Sequence, residues 1–145
     1  MRAAEVALKF VERINAHDVK GLVVLMTRDH SFVDSIGNRF PRPAIEEGWK
    51  SYFDMVPDYW VRVERSFSAG KSAILVGAAG GTYVPQGGKR QAENRWKTPA
   101  VWTARTRGGK VAEWRIYANN EPIKERAKKA RSATGAHARS LRPAG

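Results

Sequence analysis

An α+β fold, with helices grouped on one face of a curved and mostly antiparallel sheet, is predicted by three observations. Apolar residues recur at helical spacing near the start and again around residue 50. From residue 58 the pattern changes to alternation, with no further helix signal before the basic tail. Glycine and proline punctuate each change, as short turns between packed elements require. With 145 residues, 42% hydrophobic, and five Trp, five Phe and four Tyr, the chain can bury one sizeable core and is too short for two ordinary domains.

The elements follow in order. Ala3, Val6, Ala7, Phe10, Val11 and Ile14 form a stripe at i, i+3, i+4 spacing, which predicts an amphipathic helix over 3–15. Asp18 is a good N-cap for a short second helix over 19–26, with Leu22, Leu25 and Met26 inward. Residues 31–35 read as a strand that turns at Ile36-Gly37-Asn38 into a brief partner, Arg39-Phe40. Pro41 ends that hairpin, and Pro43 suits the first turn of a third helix because its missing N–H would have no partner there. Ile45, Trp49, Tyr52, Phe53 and Val56 give this helix an aromatic-rich stripe, and Pro57 stops it. Strands are then predicted over 59–67, 72–84, 95–107 and 110–119, with a loop over 85–94 and tight turns at Gly70 and at Gly108-Gly109. Gly80-Gly81 suggests a bulge or tight bend.

The formal net charge of +12 resembles a nucleic-acid signature until it is divided along the chain. Residues 1–121 hold 19 Lys and Arg against 13 Asp and Glu, and residues 122–145 hold 7 against 1, so each part carries +6. The tail has Ile123 and Leu141 as its only large apolar groups. The expected division is therefore a folded domain over 1–123 and a basic, largely disordered tail over 124–145, with a turn or two of helix near 123–131. Such a tail binds polyanions weakly and in a salt-sensitive way, and no specific nucleic-acid binding is expected. No run approaches the roughly 18 apolar residues of a membrane span, and Glu5, Lys9, Glu12 and Arg13 interrupt what would be the apolar core of a secretory signal. The expected location is the cytoplasm. Without cysteine there is neither a disulfide nor a thiol nucleophile, and the three histidines are too scattered for a metal constellation. No cofactor is expected.

Asp34 is the clearest pointer to chemistry, because it places a carboxylate inside an otherwise apolar strand. At strand period His30, Phe32 and Asp34 share one face, with His30 about 13 Å from Asp34, so the two would meet across a bound molecule; His30 reads equally as an acid–base partner or as a structural histidine at the pocket mouth. Asp34 reads either as a base in a pocket or as a structural group, capping the Ile36-Gly37-Asn38 turn or paired with an arginine. The aromatic residues Tyr52, Trp60, Tyr83, Trp96, Trp102, Trp114 and Tyr117 exceed what one core of this size needs, and some should line a pocket. Asn119 ends the last strand, where it can contact a ligand or finish the sheet.

The phrases INAHD, HSFVDSIG, VPDYWVRVE, GTY and GKVAEWRIYANNEP, in that order, resemble the SnoaL-like branch of the nuclear transport factor two-like superfamily, which includes ketosteroid isomerase. The resemblance spans roughly residues 3–123. It implies a cone-shaped α+β barrel, in which three N-terminal helices pack on a strongly bent sheet around a deep pocket, and a homodimer paired through the sheet face. It also implies that Asp34, in FVDSIG, is the base that removes a proton beside a ketone. Two partners of that chemistry are missing. Phe10 stands where the isomerase has its tyrosine, and the position of its second acid falls near Trp102. Removing even one oxyanion donor typically raises a barrier by about 2.7–4 kcal/mol, so steroid isomerisation is disfavoured.

The resulting expectation is a cofactor-independent proton-transfer enzyme of isomerase, cyclase or dehydratase type. Its substrate would be a small hydrophobic cyclic molecule. Asp34 and His30 would be catalytic, and Tyr52, Trp60, Tyr83, Trp102, Trp114, Tyr117 and Asn119 would bind the ligand. A non-catalytic small-molecule binder and a protein-interaction module are the alternatives.

Overall fold

A computed structural model of the chain describes residues 1–134. Helices α1 (Ala3–Asn15), α2 (Val19–Val24) and α3 (Arg42–Met55) and strands β1 (Met26–Val33) and β2 (Arg39–Pro41) form the first half. Strands β3 (Trp60–Ala69), β4 (Ser72–Thr82), β5 (Arg95–Arg107) and β6 (Lys110–Ala118) follow, and helix α4 (Glu121–Thr134) comes last. The six strands form one sheet in the order β2-β1-β6-β5-β4-β3. Every pairing is antiparallel except β1 with β6. The edges β2 and β3 do not meet, so the sheet is a bent open wrap and not a closed barrel.

The predicted stripe of α1 is buried at all six positions. Burying residues such as Phe10 and Ile14 stabilises the fold by about 1.5–3 kcal/mol each, which holds α1 across the concave face of the sheet. Its C-terminal Asn15 stitches it to β3 by donating to the Val61 carbonyl at 2.9 Å and accepting from the Val61 N–H at 2.8 Å. Asp18 caps α2 as expected, its carboxylate accepting from the Gly21 N–H at 2.9 Å. The second helix stops at Val24 and β1 begins at Met26, earlier than the sequence suggests, because Met26 already pairs with Val111 of β6. In α3 the stripe Ile45, Trp49, Tyr52 and Phe53 faces the core.

Along β5 the burial alternates residue by residue, with Trp96, Ala100, Trp102 and Ala104 on the concave side. Gly108 and Gly109 both have positive φ, the requirement of the two-residue turn that joins β5 to β6. Pairing of β4 with β5 runs without interruption through Gly80 and Gly81, so the bulge expected there is absent. The register shift lies instead in β3, between Val63 and Arg65, where Gly77 of β4 lets the two backbones close up.

The second departure from expectation is at the C-terminus. Helix α4 continues to Thr134 and docks through Ile123, Ala127 and Ala130, which are buried at i, i+4, i+7 spacing against Tyr83 and Met55 or the main core. Arg126 adds a bond from Nε to the Arg95 carbonyl at 3.0 Å. The stripe is easy to miss because two of its three members are alanine. The rest of the expected tail, 135–145, lies outside the described residues. No helix among the described residues is long and apolar enough to cross a membrane.

Candidate functional site

The concave face is walled by rings. Phe10 lies 4.6 Å from Trp114, 6.0 Å from His30 and 6.5 Å from Trp49 between ring centroids, so α1, α3, β1 and β6 meet at one aromatic hub. Phe32, the strand neighbour of His30 on the same face, packs edge-on to Trp49 at 6.1 Å. Tyr52 and Tyr59 form a perpendicular pair at 4.9 Å, and Tyr59 continues to Trp96 at 6.2 Å. Burial raises the hydroxyl pKa of both tyrosines above the ordinary value, so they stay protonated donors.

Within this apolar wall, His30 is 1% exposed. Its Nδ1 lies 2.7 Å from the Val111 carbonyl, which can only accept, so Nδ1 carries the proton and Nε2 keeps its lone pair. Burial is the main cause that lowers the His30 pKa; the Val111 bond opposes it, and the nearby Arg42 charge adds to the lowering. The imidazole is therefore neutral at pH 7, with an acceptor at Nε2 that has no partner among the described residues. The indole N–H groups of Trp49, Trp96, Trp102 and Trp114 are also buried without a partner among the described residues. An orphaned buried polar group costs about 1–3 kcal/mol, so one acceptor and four donors in one interior call for an explanation.

Asp34 sits just past β1, and its carboxylate is occupied by the turn it precedes. Oδ1 accepts from the backbone N–H of Ile36 at 3.1 Å and of Asn38 at 2.8 Å, and Oδ2 accepts from Asn38 Nδ2 at 3.1 Å. Of the two readings of this residue, the geometry displays the cap.

The remaining candidates divide among four places. Tyr52, Trp102 and Trp114 are in the interior. Tyr83 is buried under α4 with Ala127 and Ala130. Trp60 and Tyr117 lie on the outer side of the sheet with arginines over their rings, Arg62 at 5.5 Å and Arg115 at 4.8 Å, so neither joins the interior set. Asn119 accepts from the Glu121 N–H at 3.0 Å and serves as the start of α4. Asp58 ties the start of β3 to the end of β4, accepting from Thr82 N and Oγ1 at 2.7 Å each. His17 stacks on Phe53 at 4.2 Å and bonds the Tyr59 carbonyl, locking the α1–α2 turn. Among the described residues no group of three or more His, Cys, Asp or Glu is arranged to hold a metal ion.

Sequence reasoning passed over Trp49, whose helical spacing marked it as core, and the pair Arg28 and Arg42, which no motif announces. With Val23, Pro43 and Glu46 these arginines line a cleft of about 250 Å³ between α2, β1 and α3.

Residues 7–114 match the family model of the SnoaL-like domain. No curated protein matches the chain. Among solved structures, a SnoaL-like polyketide cyclase candidate from Shewanella denitrificans OS-217 superposes with a TM-score of 0.74 at 16% identity, covering 88% of this chain and 97% of its own. A protein of ketosteroid isomerase-like fold from Catenulispora acidiphila DSM 44928, solved with trimethylamine, gives 0.72 at 18% identity, with 86% and 92% covered. IdmH, a polyketide cyclase candidate from Streptomyces antibioticus, gives 0.73 at 16%, with 88% and 99% covered.

Proposed function

The chain belongs to the SnoaL-like domain family, and from that premise we propose that it takes a small hydrophobic molecule, cyclic or aromatic and bearing oxygen, into its aromatic interior. His30 is the proton acceptor there. The observation that carries this reading is the company His30 keeps: a neutral imidazole, its tautomer set by Val111, among indole N–H groups that have no partner in the described residues. Proton abstraction beside a carbonyl needs a base of matched pKa and donors for the oxygen that gains charge. His30 Nε2 supplies the base, and the Trp49 or Trp114 indole supplies a neutral donor in place of the missing tyrosine and acid. No cofactor enters this scheme.

Asp34 is a positioning residue in the scheme, because it fixes the turn at the end of the strand that carries His30. Its engagement favours one second reading, a binder without turnover. The deciding experiment extracts and identifies what co-purifies with the full chain, then follows its conversion by the parent, His30→Gln and Asp34→Asn. His30→Gln should retain binding and lose turnover about 100-fold or more, the usual scale of general acid–base assistance. Loss of turnover in Asp34→Asn with binding and melting temperature retained would return the base to Asp34. Binding without turnover in the parent would establish the binder.

The proposal includes a homodimer through the outer sheet face, where Phe67, Ile74 and Tyr117 are 48%, 38% and 45% exposed.

A further inference from the structure

The cleft between α2, β1 and α3 has a composition of its own. Arg28 reaches it from β1 and Arg42 from the first residue of α3. Neither has an ion-pair partner within 4.0 Å among the described residues. Arg42 Nε is buried and has no hydrogen-bond partner among the described residues, a state it shares with Arg115 Nε. Glu46 is the one acid of the lining; it is solvent-exposed and more than 4.0 Å from either guanidinium.

Two more features act in the same direction. Helix α3 opens at this cleft with no side-chain cap and no acidic residue in its first turn, so the positive end of its dipole is not offset. Val23 and Pro43 give the cleft apolar walls beside the arginines. Its 250 Å³ exceeds what a bare inorganic anion fills and is small for a drug-sized ligand.

We propose that this cleft binds the carboxylate of a small organic acid, with Arg28 and Arg42 as its charged clamp and Val23 and Pro43 against its hydrocarbon part. A guanidinium offers paired N–H groups that match the two oxygens of a carboxylate, and both arginines line the cleft. The inference does not rest on the interior reading, because the anion is held whether or not His30 handles a proton, and the two tests share no variant.

The test is an NMR titration of the full chain with three probes: benzoate, its uncharged isostere benzamide, and inorganic phosphate. Benzoate should shift the Arg42 Nε–H resonance and the Val23 amide saturably, benzamide should leave both in place, and phosphate should bind at least about tenfold more weakly. Arg28→Met and Arg42→Met, the latter read at Val23, should each weaken benzoate by about tenfold or more, the usual worth of a hydrogen bond to a charged group. Arg28 is exposed, so its variant keeps the test valid if Arg42→Met folds poorly. Equal shifts from benzamide, no saturable shift from benzoate, or an unchanged benzoate affinity in Arg28→Met would overturn the proposal. Phosphate binding as tightly as benzoate would overturn the organic-acid assignment.

Discussion

Asp34 shows how one residue type serves two ends. An aspartate at the end of an apolar strand, before Ile36-Gly37-Asn38, satisfies the requirements of a buried base and of a turn cap alike, and the sequence left both open. What separates them is where the N–H groups point, and two backbone donors and one amide point at this carboxylate. Asp34→Ala strands those donors and should lower stability by about 1–3 kcal/mol in urea unfolding, with Asp34→Asn milder because its amide oxygen still accepts. An unchanged midpoint in Asp34→Ala would show that the turn does not depend on the carboxylate. His30 gives a pH test with a definite sign. Its folded pKa is lowered by burial from the ordinary 6.5, so below pH 6.5 the unfolded chain takes up a proton that the folded chain resists, and stability falls as pH falls. The slope should flatten in His30→Gln below pH 6.5. Asp29 does not confuse the reading at its upper end. Arg107 and Thr27 hydrogen bonds lower its pKa from 3.8 to about 2, so its contribution fades only as pH falls below about 3.8.

At the scale of elements, β4 makes the sharpest prediction. A Cβ on Gly77 would fall 1.8 Å from the Arg62 carbonyl oxygen, where the shifted register of β3 brings the two backbones together. Backbone cannot rotate away as a side chain can, so Gly77→Ala should reach or exceed the upper end of the about 1–3 kcal/mol typical of overpacking. A melting temperature within a degree or so of the parent would contradict the close approach. The same strand shows what the sequence could reveal. Its glycines announced a bend, but Gly80-Gly81 drew attention as a pair while the deformation belongs to the partner strand, and pairing partners are not written in a single chain. Helices α1 and α3 were legible because large apolar residues mark their period. Helix α4 was legible only as a turn or two near 123–131; its docking was not, because Ala127 and Ala130 contribute burial without a strong apolar signal. For the site, the aromatic content predicted a lined interior, but the alternation of strands could not assign Tyr117 to its outer face until the register with Val101 was known. Arg28 and Arg42 come from elements far apart in character and share no motif, so their meeting is a property of the fold alone.

Across the whole molecule, the bent sheet divides its residues into a concave side that holds the proposed chemistry and a convex side that must meet either water or another chain. On the convex side two rows cross the central strands, Arg65-Val76-Val101-Tyr117 and Phe67-Ile74-Thr103-Arg115. Their middles are apolar or small and their ends are arginines lying over the neighbouring rings, Arg65 over Phe67 at 6.0 Å and Arg115 over Tyr117 at 4.8 Å. Two such faces stacked about a two-fold axis would bury the apolar middles and bring like charges near each other, since the rows contain no acid. The proposed dimer therefore carries a salt signature. Added salt screens the arginines and should tighten the association, opposite to the weakening expected of a complex held by ion pairs. Sedimentation of the full chain across a salt series, with Phe67→Lys/Ile74→Lys as the disrupted variant, measures this directly. The variant should sediment as a monomer with little change in melting temperature, because both side chains are already partly exposed and the core lies on the other side of the sheet. A parent chain that stays monomeric at tens of micromolar and high salt would remove the convex face as a dimer surface. The concave interior and the arginine cleft would stand unaffected, because neither draws a residue from that side.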